Sequence, residues 1–190
     1  MNLGDFMKRT LKYSLKLFLY LIFSWFASFM VTVSFGVIVN KVNWLFYLLS
    51  QLFSLIILLV LLWQGLYIIG FRDSNMVRTG HQTEDLYKGF KVGLIAQAPF
   101  IVFFIVSIIL NLRFSYFRII NSAYWTFVTA VCGAFDTEKA ANMGMRDIGV
   151  LGVIGTLLIL LIVPALTGGI YIMGYKGIDL FSKFVYKKRK

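Results

Sequence analysis

The sequence predicts an all-α integral membrane protein: a four-helix transmembrane bundle of two helical hairpins, with an outer interfacial or re-entrant helix. Hydrophobic residues make up 59% of the 190 residues and charged residues only 14%, whereas soluble domains carry about 25% charged residues. Four uncharged windows are long enough to cross a hydrocarbon core of about 30 Å. The net charge of +11 fits an apolar body whose basic rim contacts anionic lipid headgroups. Residues 1–190 therefore form a single transmembrane domain.

The predicted spans are residues 17–39, 44–71, 92–112 and 148–175. A spanning helix needs roughly 20 apolar residues, and these windows hold 23, 28, 21 and 28. Only four residues separate the first two spans, so we expect them to pair as a helical hairpin.

Residues 119–135 form a fifth apolar stretch, whose placement depends on charge. With four spans and a cytoplasmic N-terminus, 14 basic residues lie inside and 5 outside. A fifth span would change this distribution to 10 inside and 9 outside, which the positive-inside rule disfavours. We therefore predict a multi-pass protein with cytoplasmic N- and C-termini. Residues 119–135 then lie in the outer interface or re-enter the membrane, and a fifth span stays the alternative.

Basic residues near both termini are predicted to contact the lipid surface. Four fall on one side of an amphipathic N-terminal helix, and four more close the C-terminal tail. The alternative is that these charges only hold both termini in the cytoplasm. Nucleic acid is not an expected partner, because no recognition motif accompanies the charge. The candidate lipid-surface residues are Lys8, Arg9, Lys12, Lys16, Lys187, Lys188, Arg189 and Lys190.

The segment 72–91 is mixed in charge rather than only basic. Asp73 and Asn75 are of the types that close side-chain turns, and Thr83 is a favourable N-cap for the third helix. The segment is therefore either a well-formed turn or a docking loop for a cytosolic partner. The candidate docking residues are Arg72, Asp73, Asn75 and Arg78.

An eight-residue pattern, residues 65–72, recurs at residues 169–176 near the end of the fourth span. Four positions are identical, and the other four are conservative. The match indicates either a parallel repeat of two hairpins about an axis along the membrane normal, or chance among apolar helices.

Two prolines and three polar side chains lie at similar depth in the predicted spans. Proline frees a backbone carbonyl, and buried amides beside it could line a polar pocket that opens inward. The same groups could equally form hydrogen bonds that hold the helices together. The candidate pocket residues are Gln64, Gln97, Pro99, Pro164 and Thr167.

Catalytic and metal-binding chemistry is not expected from this sequence. All 8 acidic and all 19 basic residues lie outside the predicted spans, whereas ion coupling usually leaves an ionisable residue inside. His81 and Cys132 fall on opposite sides of the predicted membrane, and no cluster has metal-ligand spacing. We therefore predict no catalytic residue, no metal site, no cofactor and no enzymatic activity.

Several stretches resemble small polytopic membrane proteins of low-GC Gram-positive bacteria, a group to which we attach no function. They are residues 72–77, Gly80, Asp85, residues 89–96 with Pro99, and residues 174–178. The resemblance implies a bacterial cytoplasmic membrane and no particular site.

These features favour a non-catalytic accessory, assembly or regulatory subunit that binds a membrane or cytosolic protein partner. The alternative is a small transport component that binds an uncharged or weakly polar solute within the bundle. A homo-oligomer is compatible with either function.

Overall fold

The computed structural model describes residues 3–38, 44–133 and 142–178, and the regular secondary structure within these ranges is helical. Four of the helices are long and apolar enough to cross a membrane, which confirms the predicted fold class. The helices are α1 (Leu3–Ile38), α2 (Trp44–Arg78), α3 (Lys88–Ile109), α4 (Phe114–Ile120), α5 (Trp125–Val131) and α6 (Gly149–Tyr175).

The four long helices alternate in direction and form a ring in the order α1, α2, α6, α3. Parallel helices are therefore neighbours in two places, α1 beside α3 and α2 beside α6. Large apolar side chains from all four fill the interior, among them Leu21, Leu62, Phe104 and Leu160. Many large apolar side chains also point outward, as expected for helices that face lipid instead of water.

The two ends of the bundle differ in charge. At the basic end, α1 and α3 begin and α2 and α6 end. Its described basic residues are Arg9, Lys12, Lys16, Arg72, Arg78, Lys88, Lys91 and Lys176. At the opposite end, the side chain of Arg146 donates to the last carbonyls of α3, those of Ile108 at 3.2 Å and Ile109 at 2.6 Å. These bonds satisfy acceptors that a helix C-terminus leaves unpaired.

Helix α2 continues beyond the predicted span and ends only at Arg78. The expected side-chain turns at Asp73 and Asn75 are therefore wrong, because both residues lie within this helix. Continuous backbone hydrogen bonding through the charged residues replaces the local turns that were expected there. The connecting turn comes later, at Gly80, whose φ of +72° is a conformation that glycine adopts without strain.

Helix α3 begins at Lys88, so the predicted N-cap at Thr83 is also wrong. Asp85 instead organises the start of the helix. Its Oδ1 accepts a hydrogen bond from the backbone N–H of Tyr87 at 3.1 Å, and its carbonyl accepts one from the backbone N–H of Lys88 at 3.2 Å.

Helices α2 and α6 meet most closely where the repeated pattern lies. A Cβ on Gly174 would overlap the carbonyl oxygen of Tyr67, and a Cβ on Gly70 would overlap that of Tyr171. The offset of 104 residues relates Gly70 to Gly174 and Tyr67 to Tyr171, so the contact is reciprocal. Glycine here allows two backbones to approach as small residues do in membrane helix pairs.

This reciprocity does not extend to the hairpins as wholes. If a twofold rotation about the bundle axis exchanged the two hairpins, α1 and α3 would lie on opposite sides of the α2–α6 pair. In the structure α1 and α3 are in contact. The predicted parallel repeat is therefore limited to the crossing of α2 and α6.

Candidate functional site

A buried ion pair lies at the basic end of the bundle. The Lys88 ammonium is 2.6 Å from Oδ2 of Asp73, and the two side chains are 3% and 2% exposed. The hydroxyl of Tyr171 donates to the same Oδ2 at 3.0 Å. The ion pair thus joins α2 to α3, and Tyr171 connects both to α6.

Tyr13 brings α1 to the same place. The Arg72 guanidinium lies 5.4 Å and the Lys88 ammonium 5.3 Å from the centroid of its ring. The Tyr13 hydroxyl also accepts a hydrogen bond from Nη2 of Arg72. Cations are attracted to the face of an aromatic ring, most strongly when desolvated. All four long helices therefore contribute to one group of side chains, which we call the polar cluster: Tyr13, Arg72, Asp73, Lys88 and Tyr171.

The polar cluster favours one alignment of the four helices. Removing a carboxylate and an ammonium from water is costly, and their attraction offsets that cost only with good geometry and further hydrogen bonds. A sliding or rotation of α2 against α3 would leave both charges buried without partners. The cluster therefore contributes more to fixing the relative alignment of the helices than to the net free energy of folding.

The candidate docking residues separate into two groups. Asp73 is 1% exposed and bonded within the polar cluster, so its side chain is not on the surface where we expected it. Arg72, Asn75 and Arg78 are exposed on the last turns of α2. Of these, Arg72 is already engaged with Tyr13.

A second group of polar contacts surrounds residues 114–131, which we call the inserted segment. Gln97 donates to the Tyr124 hydroxyl at 3.1 Å, and that hydroxyl donates to Oδ1 of Asn121 at 3.0 Å. The Asn121 amide in turn donates to the Phe117 carbonyl at 2.9 Å. The Tyr124 hydroxyl therefore accepts one hydrogen bond and donates another.

The position of Gln97 along α3 shows how deeply the inserted segment enters the bundle. Gln97 precedes Ile109 by twelve residues, which is about 18 Å of helix at 1.5 Å per residue. A contact at that depth places the Tyr124 hydroxyl well inside the bundle rather than at its surface. The segment predicted as interfacial or re-entrant is thus inserted among the long helices, and residues 134–135 of the predicted range lie outside the described ranges.

The break between α4 and α5 interrupts helical backbone bonding, and side chains of the long helices replace part of it. Gln51 donates to the Ala123 carbonyl at 2.9 Å and accepts from the Thr126 N–H at 3.0 Å. Trp25 donates through Nε1 to the carbonyl of Ile119. Non-helical backbone at membrane depth is tolerated when protein groups satisfy it in this way.

The five candidate pocket residues do not converge on one site. Gln97 bonds to Tyr124, whereas Gln64 and Pro99 are exposed on outward faces of their helices. Pro164 and Thr167 are buried, and the Thr167 hydroxyl donates to the Pro164 carbonyl at 2.8 Å. A Cβ on Gly93 of α3 would overlap the Thr167 hydroxyl, so this part of the predicted pocket is a close helix contact.

Of the candidate lipid-surface residues, the structure places Arg9, Lys12 and Lys16 on α1 with exposed side chains. The Lys16 ammonium lies 5.5 Å from the centroid of the Tyr20 ring. The side chain of Lys8 and the whole of Lys187, Lys188, Arg189 and Lys190 lie outside the described part of the chain.

Sequence reasoning missed most of the bonded polar residues. Lys88 and Tyr171 gave no signal of pairing with Asp73, because the three lie on different helices and far apart in sequence. Asn121 did give a signal, since it is a polar residue within an apolar stretch. The residues missed are Tyr13, Gln51, Lys88, Asn121, Tyr124 and Tyr171.

The polar side chains of these two sites are hydrogen-bonded to one another. A cavity of about 10 Å³ beside Gln97, Asn121 and Tyr124 has room for one water molecule. Within residues 3–38, 44–133 and 142–178, no three His, Cys, Asp or Glu side chains lie close enough to share a metal ion.

Comparison with protein-family models, curated proteins and solved structures finds no match to this chain.

Proposed function

We propose that this chain is a non-catalytic accessory, assembly or regulatory subunit of a membrane complex. In this proposal it resides in the bacterial cytoplasmic membrane, and its basic end and both termini face the cytoplasm. The membrane location follows from the four apolar helices, and the orientation rests on the positive-inside distribution of charge.

The observation that carries the proposal is that two groups of buried polar side chains are bonded among themselves. Asp73, Lys88 and Tyr171 satisfy each other at the basic end, and Gln97, Tyr124 and Asn121 do so deeper in the bundle. Groups engaged in this way support helix alignment more readily than they bind and release a solute. Side chains with hydrogen-bonding capacity for a partner lie instead on the exposed last turns of α2.

Site-specific cross-linking tests the proposed partner contact. A photo-crosslinking amino acid replaces Asn75, which is exposed at the end of α2, and in a matched variant it replaces Arg113, which is exposed at the opposite end. We expect a defined protein adduct from position 75 in cells, and loss of that adduct when Arg78→Gln is added. Equal adducts from both positions, or none from position 75, would contradict docking at the end of α2.

A small transport component remains the second candidate, and the inserted segment is the observation that favours it. Broken helices at membrane depth occur where transporters bind solutes and ions. In that case Gln97→Leu and Asn121→Leu should abolish activity in a deletion strain while the protein stays folded, and Asn75→Ala with Arg78→Gln should be tolerated. The accessory function predicts the reverse pattern.

A further inference from the structure

We propose that the outward face of α2 binds the same face of a second copy of this chain, with the two Gln64 side chains hydrogen-bonded across the contact. The face carries Val60, Gln64, Ile68 and Phe71, which follow one another at intervals of three or four residues and have exposed side chains. Helix α2 contacts α1 and α6, and this face points away from both. The inference depends on the membrane location alone and not on the accessory function.

Gln64 differs from the other two glutamines of the long helices. Gln51 bonds to the backbone of the inserted segment, and Gln97 bonds to the Tyr124 hydroxyl. The Gln64 side chain is exposed and forms no hydrogen bond within the part of the chain that the structure describes. A glutamine amide offers two donors and one acceptor oxygen, so Gln64 has its full bonding capacity available to a neighbouring molecule.

The depth of Gln64 places this amide within the hydrocarbon core if the bundle spans the bilayer. Gln64 precedes Arg72, at the basic end, by eight residues, which is about 12 Å along α2. It follows Trp44 by twenty residues, or about 30 Å. The hydrocarbon core is about 30 Å thick and holds no water to satisfy a polar group. Lipid chains cannot bond to an amide either, so only another protein helix can supply its hydrogen bonds there.

The other long helices are apolar where they face lipid at a similar distance from the basic end. Their exposed side chains at this level include Phe23 of α1, Ile95 of α3 and Ile162 of α6. On α2, Gln64 lies instead between the exposed apolar side chains of Val60 and Ile68. The outward face of α2 therefore combines apolar contact area with one central amide, which is the composition of a helix contact inside a membrane.

The chemistry of the amide selects a second copy of the chain as the partner. Copies inserted in one membrane share one orientation, so two α2 helices meet in parallel and equal residues lie at equal depth. A twofold axis along the membrane normal then brings the two Gln64 side chains together, and each amide can donate to the oxygen of the other. At the usual distance of 8–10 Å between helix axes, Val60, Ile68 and Phe71 pack around the amides.

Photo-crosslinking in native membranes tests which molecule contacts this face. A photo-crosslinking amino acid replaces Ile68 in the full-length chain, and in a matched variant it replaces Leu19 of α1, which is similarly exposed at a similar distance from the basic end. We expect position 68 to give an adduct of two copies, identified by mass spectrometry, and position 19 to give none. Equal adducts from both positions, no adduct from position 68, or an adduct of position 68 with a different protein would overturn the proposal.

Dissociation of the dimer in liposomes tests the role of the amide. Full-length copies with Cys132→Ser and Lys190→Cys carry donor and acceptor dyes, and Förster transfer is followed as lipid is added. We expect Gln64→Leu to raise the dissociation constant about tenfold, because a hydrogen bond between membrane helices is lost. Gln64→Asn keeps an amide and should weaken the dimer less. The unfolding midpoint should be the same in all three proteins. A dissociation constant that Gln64→Leu leaves unchanged would overturn the proposed contact.

Discussion

A buried carboxylate needs hydrogen-bond or ion-pair partners within the protein, and Asp73 has them in Lys88 and Tyr171. The pair that Asp85 forms with Lys91 at 3.0 Å has the same chemistry but a different environment, since the Lys91 side chain is 52% exposed. Burial, rather than the presence of an ion pair, decides how much a single residue matters here.

Asp73→Asn should lower the free energy of unfolding by about 3–5 kcal/mol, because it leaves the Lys88 ammonium buried without an opposite charge. Asp85→Asn is the matched control and should cost about 1 kcal/mol or less, since its partner is half exposed. Unfolding of the purified variants in mixed micelles measures both effects. Equal costs for the two substitutions would mean that the ion pair at Asp73 is not isolated from water.

Cys132 provides a second prediction at the level of one residue. Burial raises the pKa of its thiol, although Thr156, whose Oγ1 lies 3.7 Å from Sγ, lowers it. Because the thiolate is the reactive form, modification should be slow near neutral pH and should accelerate as the pH rises towards 9. We expect the cysteine in Arg113→Cys, which is exposed, to react faster than Cys132 at pH 7 in detergent. Similar rates would contradict the burial of the thiol.

At the level of elements, the inserted segment and the glycine contacts determine how the helices fit together. The segment is broken at Asn121, so it cannot bond all of its own backbone. Gln51 and Trp25 bond part of that backbone, and Gln97 bonds the Tyr124 side chain. The α2–α6 contact combines close backbone approach at Gly70 and Gly174 with the hydrogen bond from Tyr171 to Asp73. Hydrogen bonds therefore contribute to both contacts, and the absence of side chains contributes only to the second.

Gly174→Ala should destabilise the bundle by about 1–3 kcal/mol, because the new methyl group would overlap the carbonyl of Tyr67. Gly169 is a matched control on the same helix, since a Cβ there meets nothing within 4 Å. Gly169→Ala should leave the free energy of unfolding unchanged or raise it by up to about 1 kcal/mol. If both alanine variants behave alike in micelle unfolding, α2 and α6 do not cross at Gly174.

Tyr124→Phe should cost about 1 kcal/mol, because it leaves the Gln97 amide and Oδ1 of Asn121 each short of a partner. Tyr116→Phe removes a hydroxyl from an exposed side chain of the same segment and should have no measurable effect. The difference between the two unfolding midpoints is the relevant measurement. No difference would indicate that the inserted segment does not reach Gln97.

The sequence was sufficient to predict the spans but not the contacts between them. Apolar length and basic flanks are local properties, so the four long helices and the unusual status of residues 119–135 could be predicted. The turns at Asp73 and Asn75 were mispredicted, because local propensity favours a turn while a partner fifteen residues away, Lys88, holds Asp73 in a helix. The sequence placed Gln64 and Gln97 at similar depth. Only the packing of the helices shows that Gln64 is exposed and Gln97 is buried.

At the level of the whole molecule, the bundle has two unlike ends. Most described basic residues and the polar cluster belong to one end, whereas the inserted segment enters from the other. In the proposed orientation the first end faces the cytoplasm. A partner in the cytoplasm and an anionic inner leaflet would then both act on the same surface.

This orientation is tested most directly by cysteine accessibility in intact cells, with Cys132→Ser as the background. A membrane-impermeant thiol reagent is applied to Arg113→Cys, Lys91→Cys and Lys190→Cys before and after the membranes are opened. We expect Arg113→Cys to be labelled in intact cells, and the other two to be labelled only after opening. Labelling of Lys190→Cys in intact cells, together with protection of Arg113→Cys, would contradict the orientation. Labelling of both Lys91→Cys and Arg113→Cys in intact cells would contradict the crossing of the membrane by α3.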